Sequence, residues 1–139
     1  MRLLISVTTL LFLFSVLEAK NYAGDWINLK IWKLTTPLDD DGDGKADEVR
    51  MPLLRYFEDP DFFHLSETGD SVIFRAKCGG AATENSKYPR SELRELEKDS
   101  KTKASWSTTS GSHNLTIEFA FTKLPKKKPH AVAAQIHDG

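Results

Sequence analysis

Three charged residues at alternate positions, Arg90, Glu92 and Arg94, are the first group in the sequence that could do chemistry. In an extended strand, residues two apart project from the same face, so these side chains would form one row. A carboxylate between two guanidinium groups can orient both, and each guanidinium keeps donors free for an anion such as a second carboxylate. The pattern alone favours a plainer alternative, a solvated strand face with ion pairs to neighbouring strands.

Gln135 and His137 form a second polar pair, at the end of segment 130–137. That segment alternates as a strand does, with one apolar face and one face of small residues that ends in the amide and the imidazole. Small side chains leave room for a ligand, the amide can hydrogen-bond a carboxylate, and the imidazole can exchange a proton near neutral pH. Taken alone, the pair fits an exposed outer sheet face equally well.

Short alternating runs separated by turn-forming residues dominate the sequence, which predicts strands rather than helices. Segment 91–98 is rich in helix formers, but Tyr88-Pro89 precedes it and its neighbours are strand-like, so we predict a strand there too. The fold class is therefore predicted as all-β, an antiparallel sandwich or jelly roll. The predicted strands are Trp26–Leu34, Ser71–Cys78, Tyr88–Leu96, Ser105–Thr109, Leu115–Thr122 and His130–His137, with a polar loop at Asp39–Asp47.

The amino terminus has the composition of a secretory signal peptide. Arg2 precedes an apolar run over residues 3–17, and Ala19 offers a small residue for cleavage. The run is shorter than the about 20 residues that span a membrane, so an uncleaved anchor is the less favoured alternative. We predict residues 1–19 as a signal peptide, residues 20–139 as one domain, and a secreted protein that does not associate with a membrane after cleavage.

The balance of charge limits the partners of this protein. A formal net charge of −1 gives no reason to expect nucleic acid, so anion recognition must come from local clusters. The basic run Lys126–Lys128 is predicted as a solvated turn that can also attract a polyanion. The single cysteine, Cys78, excludes an internal disulfide, and its place on an apolar strand face predicts a buried side chain. We expect a monomer.

The loop that contains Asp39, Asp41 and Asp43 resembles the start of a calcium-binding loop, because its carboxylates occupy alternate positions. Arg50 stands where such loops have a glutamate, and no helical pattern flanks the segment. Turn formation by Asp and Gly is therefore the favoured interpretation, and a structural calcium site is the weaker one.

The sequence RSELR at 90–94, followed by QIH at 135–137, resembles the first two signature motifs of the family-seven alginate lyases. The segments WKLT at 32–35 and FRA at 74–76 occur in that family's order, so the resemblance runs from about residue 32 to residue 139. It implies a β-jelly roll of two curved antiparallel sheets with a substrate groove. It also implies cleavage of 1,4-linked uronates, with alginate or a related acidic polysaccharide as the partner.

The resemblance assigns roles to the two motifs in a β-elimination. A proton must leave C5 of the sugar acid, beside a carboxylate whose charge has to be neutralised. Arg90 and Gln135 are the implied donors to that carboxylate, and donors of this kind contribute roughly 3–4 kcal/mol in other enzymes. His137 is the implied base, a role worth about 10²–10⁴-fold. Glu92 and Arg94 are implied to position Arg90 and to bind neighbouring sugars, and no cofactor is implied.

The family's third motif, which carries the tyrosine that protonates the leaving oxygen, has no counterpart in this sequence. Tyr22, Tyr56 and Tyr88 lie upstream in a different context. We therefore expect a fragment that lacks C-terminal strands and is poorly stable and inactive by itself. Ile136, between the two polar residues of the second motif, is the variant associated in this family with guluronate-containing blocks.

Two other functions stay open at this point. A jelly roll of this kind could be a lectin-like module that binds carbohydrate without chemistry, because a fold alone does not define a reaction. The lyase chemistry could also act on another polyuronate, such as a glucuronan. Replacing His137 by Ala in the completed protein distinguishes the first alternative. A lyase should lose turnover and largely keep oligosaccharide binding, whereas loss of binding with no turnover in the parent would favour a lectin.

Overall fold

A computed structural model describes residues 20–138, which form two antiparallel sheets joined by long irregular segments. The prediction of a mostly β, antiparallel structure is confirmed. The elements are a one-turn helix α1 (Ala23–Trp26), strands β1 (Trp32–Thr35), β2 (Glu48–Arg50), β3 (Phe63–Leu65), β4 (Val72–Phe74) and β5 (Glu92–Glu95), and a 3₁₀-helix (Leu53–Tyr56).

The larger sheet has three strands in the order β2-β1-β5, with β1 at the centre. Leu34 of β1 lies opposite Val49 of β2 and opposite Leu93 of β5. Residues directly opposite each other project from the same face of a sheet, so these three side chains form an apolar face that packs into the core. The opposite face carries the polar residues of the same strands, and the candidate active site is built on it.

A small core joins the sheets to the helical turns. Phe63 of β3 is fully buried and its ring meets that of Phe74 of β4 edge-on, with 5.2 Å between the ring centroids. Gly24 brings α1 close to the 3₁₀-helix, because a Cβ at this position would lie 2.4 Å from the carbonyl oxygen of Arg55. The buried cluster consists of Ala23, Leu29, Leu34, Leu54 and Phe63.

The first strand begins later than the sequence predicted. Trp26, its predicted start, ends α1, and β1 starts only at Trp32. The reason is local hydrogen bonding by polar side chains. Asp25 accepts the backbone N–H of Tyr22 at 3.0 Å, which closes the helical turn. Asn28 accepts the N–H of Lys30 at 3.3 Å, which turns the chain before β1.

The strand predicted over Ser71–Cys78 is confirmed only near its start, where β4 pairs with β3 over three residues. Cys78 is exposed, so the prediction of a buried thiol is wrong. A turn causes the difference: Gly80 donates its N–H to the carbonyl of Lys77 at 3.1 Å, and Gly79 has a φ of 81°, which glycine adopts without strain. The chain leaves the sheet before it reaches Cys78.

The strands predicted at Ser105–Thr109, Leu115–Thr122 and His130–His137 do not form in the described part of the chain. A strand satisfies its backbone groups only against a neighbouring strand, and these segments have no ladder partner among residues 20–138. Their apolar side chains are exposed as a result, with Ile117 at 45% and Phe121 at 52%.

The predicted signal peptide, residues 1–19, lies outside the described residues. Within residues 20–138, no helix has both the length and the apolar character that crossing a bilayer requires.

Candidate active site

The polar face of the three-stranded sheet presents the predicted row of charged residues. In the register of β1 and β5, Arg94 lies opposite Lys33, and Glu92 lies opposite Thr35. Leu93, between the two charged residues of β5, points into the core. The strand predicted over Tyr88–Leu96 is confirmed over Glu92–Glu95 only, and the helical alternative is not observed there.

Arg90 lies two residues before β5 and forms an ion pair with Glu92. Its Nη1 lies 3.5 Å from Oε2 of Glu92, and the two side chains are 33% and 39% exposed. The Nε of Arg90 is buried and has no hydrogen-bond partner. The side chain as a whole is partly exposed, so N–H groups other than Nε can bind an acceptor from outside the protein. An incoming carboxylate is the kind of acceptor that matches this group.

Arg94 is held by the backbone of the segment that follows β5. Its Nη2 donates to the carbonyl oxygen of Ala104 at 3.1 Å. Ala104 in turn donates its N–H to the carbonyl of Glu95 at 3.0 Å, which keeps this segment along β5. Arg94 therefore adds positive charge to the face from a fixed position, with part of its donor capacity already used.

Lys33 is a member of this face that sequence reasoning missed. It is only 3% exposed, and its ammonium donates to Oε1 of Glu48 on β2. Burial lowers the pKa of Lys33, and the hydrogen bond and charge of Glu48 offset only part of that effect. Arg50, opposite Lys33 on β2, donates to the other oxygen of Glu48 at 3.1 Å. The carboxylate of Glu48 thus pairs with both Lys33 and Arg50.

Burial raises the pKa of Glu48, but the hydrogen bonds and positive charges of Lys33 and Arg50 outweigh it and hold this pKa below its ordinary value. The charged form of the carboxylate is therefore more favourable than in water, while the charged form of the lysine is less favourable than in water. The difference follows from burial, because the lysine side chain is 3% exposed and that of the glutamate 34%. The only feature of the sequence that could indicate a buried Lys33 is its position between two apolar residues, Trp32 and Leu34.

Gln135 and His137 lie in an exposed, irregular part of the chain. Within residues 20–138, no hydrogen bond or ion pair joins Arg90 to either of them. The backbone carbonyl of His137 accepts the N–H of Trp106 at 2.9 Å, and Oδ1 of Asp138 accepts the hydroxyl of Ser105 at 3.3 Å. The second motif is therefore anchored through its backbone and its neighbour.

The segment 104–106 links the two motifs. Its first residue, Ala104, binds Arg94, and Trp106 binds both the backbone of His137 and, through Nε1, the carboxylate of Glu95 at 3.1 Å. A chain of direct contacts therefore runs from β5 to the QIH segment. Within residues 20–138, no hydrogen bond or ion pair joins Arg90 or Arg94 to the side chains of Gln135 and His137.

The Asp-rich loop is the predicted metal candidate. Asp39, Asp41 and Asp43 are exposed, and one oxygen of each lies within 4.8 Å of the others, so they could hold a cation. All three carboxylates already accept backbone N–H groups of their own loop: Asp39 from Gly44, Asp41 from Asp43 and Asp43 from Lys45. Calcium takes six to eight oxygen ligands, more than three carboxylates supply in single contacts. The observed bonds are those of a turn.

The sheet carries Arg50 and Arg94 on its polar face, and Arg90 lies just before β5, so this region can attract anions. A family model described as alginate lyase matches residues 27–139, and the chain belongs to the alginate lyase family. The family resemblance predicted from the two motifs is therefore confirmed.

Individual relatives agree with this assignment over part of their length. An alginate lyase of Klebsiella pneumoniae is 44% identical over 75 residues, which cover 52% of this chain and 24% of the relative. A solved alginate lyase of polysaccharide lyase family 7 is 45% identical with a TM-score of 0.54, and the match covers 61% of this chain and 37% of that one. The crystal structure of an alginate lyase from Corynebacterium sp. is 40% identical with a TM-score of 0.57, over 65% and 40% of the two chains.

The chain thus spans about a quarter of the length of the curated relative, and less than half of each of the two solved relatives.

Proposed function

We propose that this protein acts on alginate as a polysaccharide lyase, cleaving 1,4-linked uronates by β-elimination. The observation that carries the proposal is the guanidinium of Arg90, which is braced by Glu92 and stays 33% exposed. Its accessible N–H groups could bind a sugar carboxylate. The family membership of the chain supports the same chemistry.

In this mechanism the carboxylate of the reacting sugar binds Arg90 and Gln135, and the C5 proton passes to His137. The electron pair left at C5 forms the new double bond to C4, and the bond from C4 to the glycosidic oxygen breaks. Neutralising the carboxylate matters because negative charge develops on it as the proton leaves. The leaving oxygen takes up a proton, for which we assign no donor. Glu92 and Arg94 position Arg90 and bind adjacent sugars.

The fold proposed for the whole catalytic unit is a jelly roll of two curved sheets. The three-stranded sheet would form part of its substrate-binding face, since its polar side carries Lys33, Arg94 and Glu92. The two solved relatives above, at 40% and 45% identity, support this proposal. We further propose that the protein is secreted, on the basis of Arg2 and the apolar run over residues 3–17, and that it acts as a monomer.

The substrate proposed is alginate that contains guluronate, because Ile136 stands between the glutamine and the histidine of the second motif. Comparing oligoguluronate with oligomannuronate as ligands of the protein tests this preference. Tighter binding of the mannuronate oligomer would contradict it. Tightest binding of a glucuronan oligomer would instead favour the alternative polyuronate.

The step that these residues are proposed to perform can be measured separately from cleavage. In deuterated water, removal and return of the C5 proton exchanges it for deuterium, which proton NMR of an alginate oligosaccharide detects. We expect C5 exchange with the 139-residue protein, because exchange needs the carboxylate donors and the base but no proton donor for the leaving oxygen. Arg90→Gln should weaken oligosaccharide binding roughly 10- to 150-fold, the loss of one charged hydrogen bond. His137→Ala should abolish exchange and leave binding in place.

A matched control is Arg75→Gln, because Arg75 forms a similar 3.5 Å pair with Asp61 but is 59% exposed. This variant should bind and exchange like the parent protein. Oligosaccharide binding without any exchange or elimination in the parent would overturn the lyase proposal and favour a carbohydrate-binding module. Unchanged binding in Arg90→Gln would overturn the role given to Arg90.

A further inference from the structure

An aromatic residue and a cation, Tyr88 and Lys128, form a pair near Arg90 that the proposed mechanism does not use. Nζ of Lys128 donates to the hydroxyl of Tyr88 at 3.3 Å and lies 5.7 Å from the centre of its ring. The two residues are 40 positions apart in sequence, so the contact joins the basic turn Lys126–Lys128 to the segment that leads into β5.

Both partners are exposed and locally fixed. Tyr88 is 63% exposed, and its backbone N–H and carbonyl both bind the hydroxyl of Ser86, at 3.2 and 3.3 Å. Pro89 further restricts Tyr88 to an extended conformation. Lys128 precedes Pro129, and its carbonyl accepts the N–H of His130 at 2.8 Å. A ligand would therefore meet a surface that is already arranged, which reduces the entropy lost on binding.

The chemistry of this pair matches a sugar acid. The tyrosine ring offers an apolar face for the C–H side of a sugar, and its hydroxyl keeps its own proton free to donate. The ammonium of Lys128 uses one donor on Tyr88 and has two left for a carboxylate. Residues 119–137 contain four lysines and no Asp or Glu, so this part of the surface attracts anions.

The position of the pair relative to Arg90 fits neighbouring units of one polymer. Two residues of extended chain span at most about 7 Å, so the backbone of Tyr88 lies within that distance of the backbone of Arg90. A polymer whose reacting carboxylate binds Arg90 would bring an adjacent sugar to Tyr88.

We propose that Tyr88 and Lys128 form an accessory uronate subsite next to Arg90, which binds the ring face and the carboxylate of a sugar adjacent to the reacting one. This inference rests on the proposed function, because it takes the polymer that Arg90 binds to be a polyuronate.

The experiment compares the affinity of the 139-residue protein for a short and a long alginate oligosaccharide, a dimer and a hexamer, by calorimetry. Lys128→Gln should weaken binding of the hexamer roughly three- to tenfold, the range for one partly exposed charged hydrogen bond, and should barely change binding of the dimer. Tyr88→Ala should have a similar effect on the hexamer, and Tyr88→Phe a smaller one because it keeps the ring.

The matched control is Lys126→Gln, which removes the same charge from the same turn at a residue that makes no hydrogen bond or cation–π contact with Tyr88. It should weaken the hexamer less than Lys128→Gln does. Equal losses in the two variants would overturn the subsite and indicate general attraction of a polyanion, as would equally tight binding of dextran sulfate. An unchanged hexamer affinity in Lys128→Gln would also overturn it. The proposed function fails separately, if Arg90→Gln binds both oligosaccharides as the parent does.

Discussion

The ion pair between Lys33 and Glu48 offers a direct test of how the polar face of the sheet is held together. The perturbation is Glu48→Gln, which keeps the size of the side chain and removes its negative charge. Lys33, at 3% exposure, would then keep a buried ammonium close to Arg50 and Arg94 without a countercharge. The substitution isolates the electrostatic part of the interaction, because the packing of the sheet is unchanged.

The magnitude follows from how far each partner is buried. Breaking a fully buried ion pair by removing one partner costs about 3–5 kcal/mol. The side chain of Glu48 is 34% exposed, so water already screens part of the interaction and replaces part of what is lost. We expect a loss of about 2 kcal/mol in the free energy of unfolding, and a fall of about 5–10 °C in the melting temperature.

The pH dependence gives the expected sign. Because the pKa of Glu48 in the folded protein lies below its ordinary value of 4.5, its pairing stabilises the protein above that pH and is lost as the pH falls through the lower folded value. Glu48→Gln should therefore flatten the acid side of the stability curve. The pKa of Lys33 is lowered, so its burial destabilises the protein at neutral pH, and this penalty fades as the pH rises towards 10.5.

Urea denaturation across a pH series measures these effects in Glu48→Gln, Lys33→Met and the double variant. Lys33→Met replaces the buried ammonium by an apolar side chain of similar shape, so adding it to Glu48→Gln should recover most of the lost stability. Glu84→Gln is the control, because Glu84 and Lys45 are 3.9 Å apart and mostly exposed, and it should change stability by less than about 0.5 kcal/mol. If Glu48→Gln is no less stable than this control at neutral pH, the reasoning is refuted.

Three other outcomes are expected. Phe63→Ala should cost about 3–5 kcal/mol in urea denaturation, because Phe63 is fully buried, and wild-type stability would contradict the core described above. Asp99 has a pKa of about 2 because backbone N–H groups of its own turn bind it, so its contribution should persist above the ordinary value of 3.8 and disappear as the pH falls through about 2. Acid titration of Asp99→Asn should lack that step, and a curve identical to wild type would disprove its origin. Chelator should leave the melting temperature unchanged if Asp39, Asp41 and Asp43 only form a turn, and a clear fall on chelation would favour a bound cation.

The alternation of β5 was predictable because its two faces differ sharply in polarity. Leu93 lies between Glu92 and Arg94, and a strand places the leucine in the core and both charged residues on the opposite face. The helical alternative rested on propensity alone, and pairing with β1 along all four residues of β5 overrides such a preference.

The start of β1 and the exposure of Cys78 were less predictable, and for the same reason. Both depend on single local features, such as the hydrogen bond that the N–H of Lys30 donates to the side chain of Asn28, and the turn at Gly79. These features do not alter the apolar pattern of the segment. Over Leu115–Thr122 the alternating pattern is clear, but the strand that it predicts does not form within residues 20–138. Alternation says which side chains would share a face, but a strand forms only where a second strand offers its backbone groups.

The role of Lys33 could not be read from the sequence, because lysine is almost never fully buried unless it is paired. Its partner, Glu48, lies 15 residues away, and only the register of β1 and β2 brings the two together. Burial of a charge therefore depends here on a non-local pairing that no local pattern encodes.

The connection between the two motifs is the part of the candidate site that residue types indicate least. Neither Ala104 nor Trp106 could carry the proposed reaction, yet the first binds Arg94 and the second binds the backbone of His137. Because both contacts to these motif residues use backbone groups of segment 104–106, substitution of its side chains would leave those hydrogen bonds in place. Residues that do chemistry can be recognised by their type, whereas residues that connect the two motifs through the backbone are recognised only in the structure.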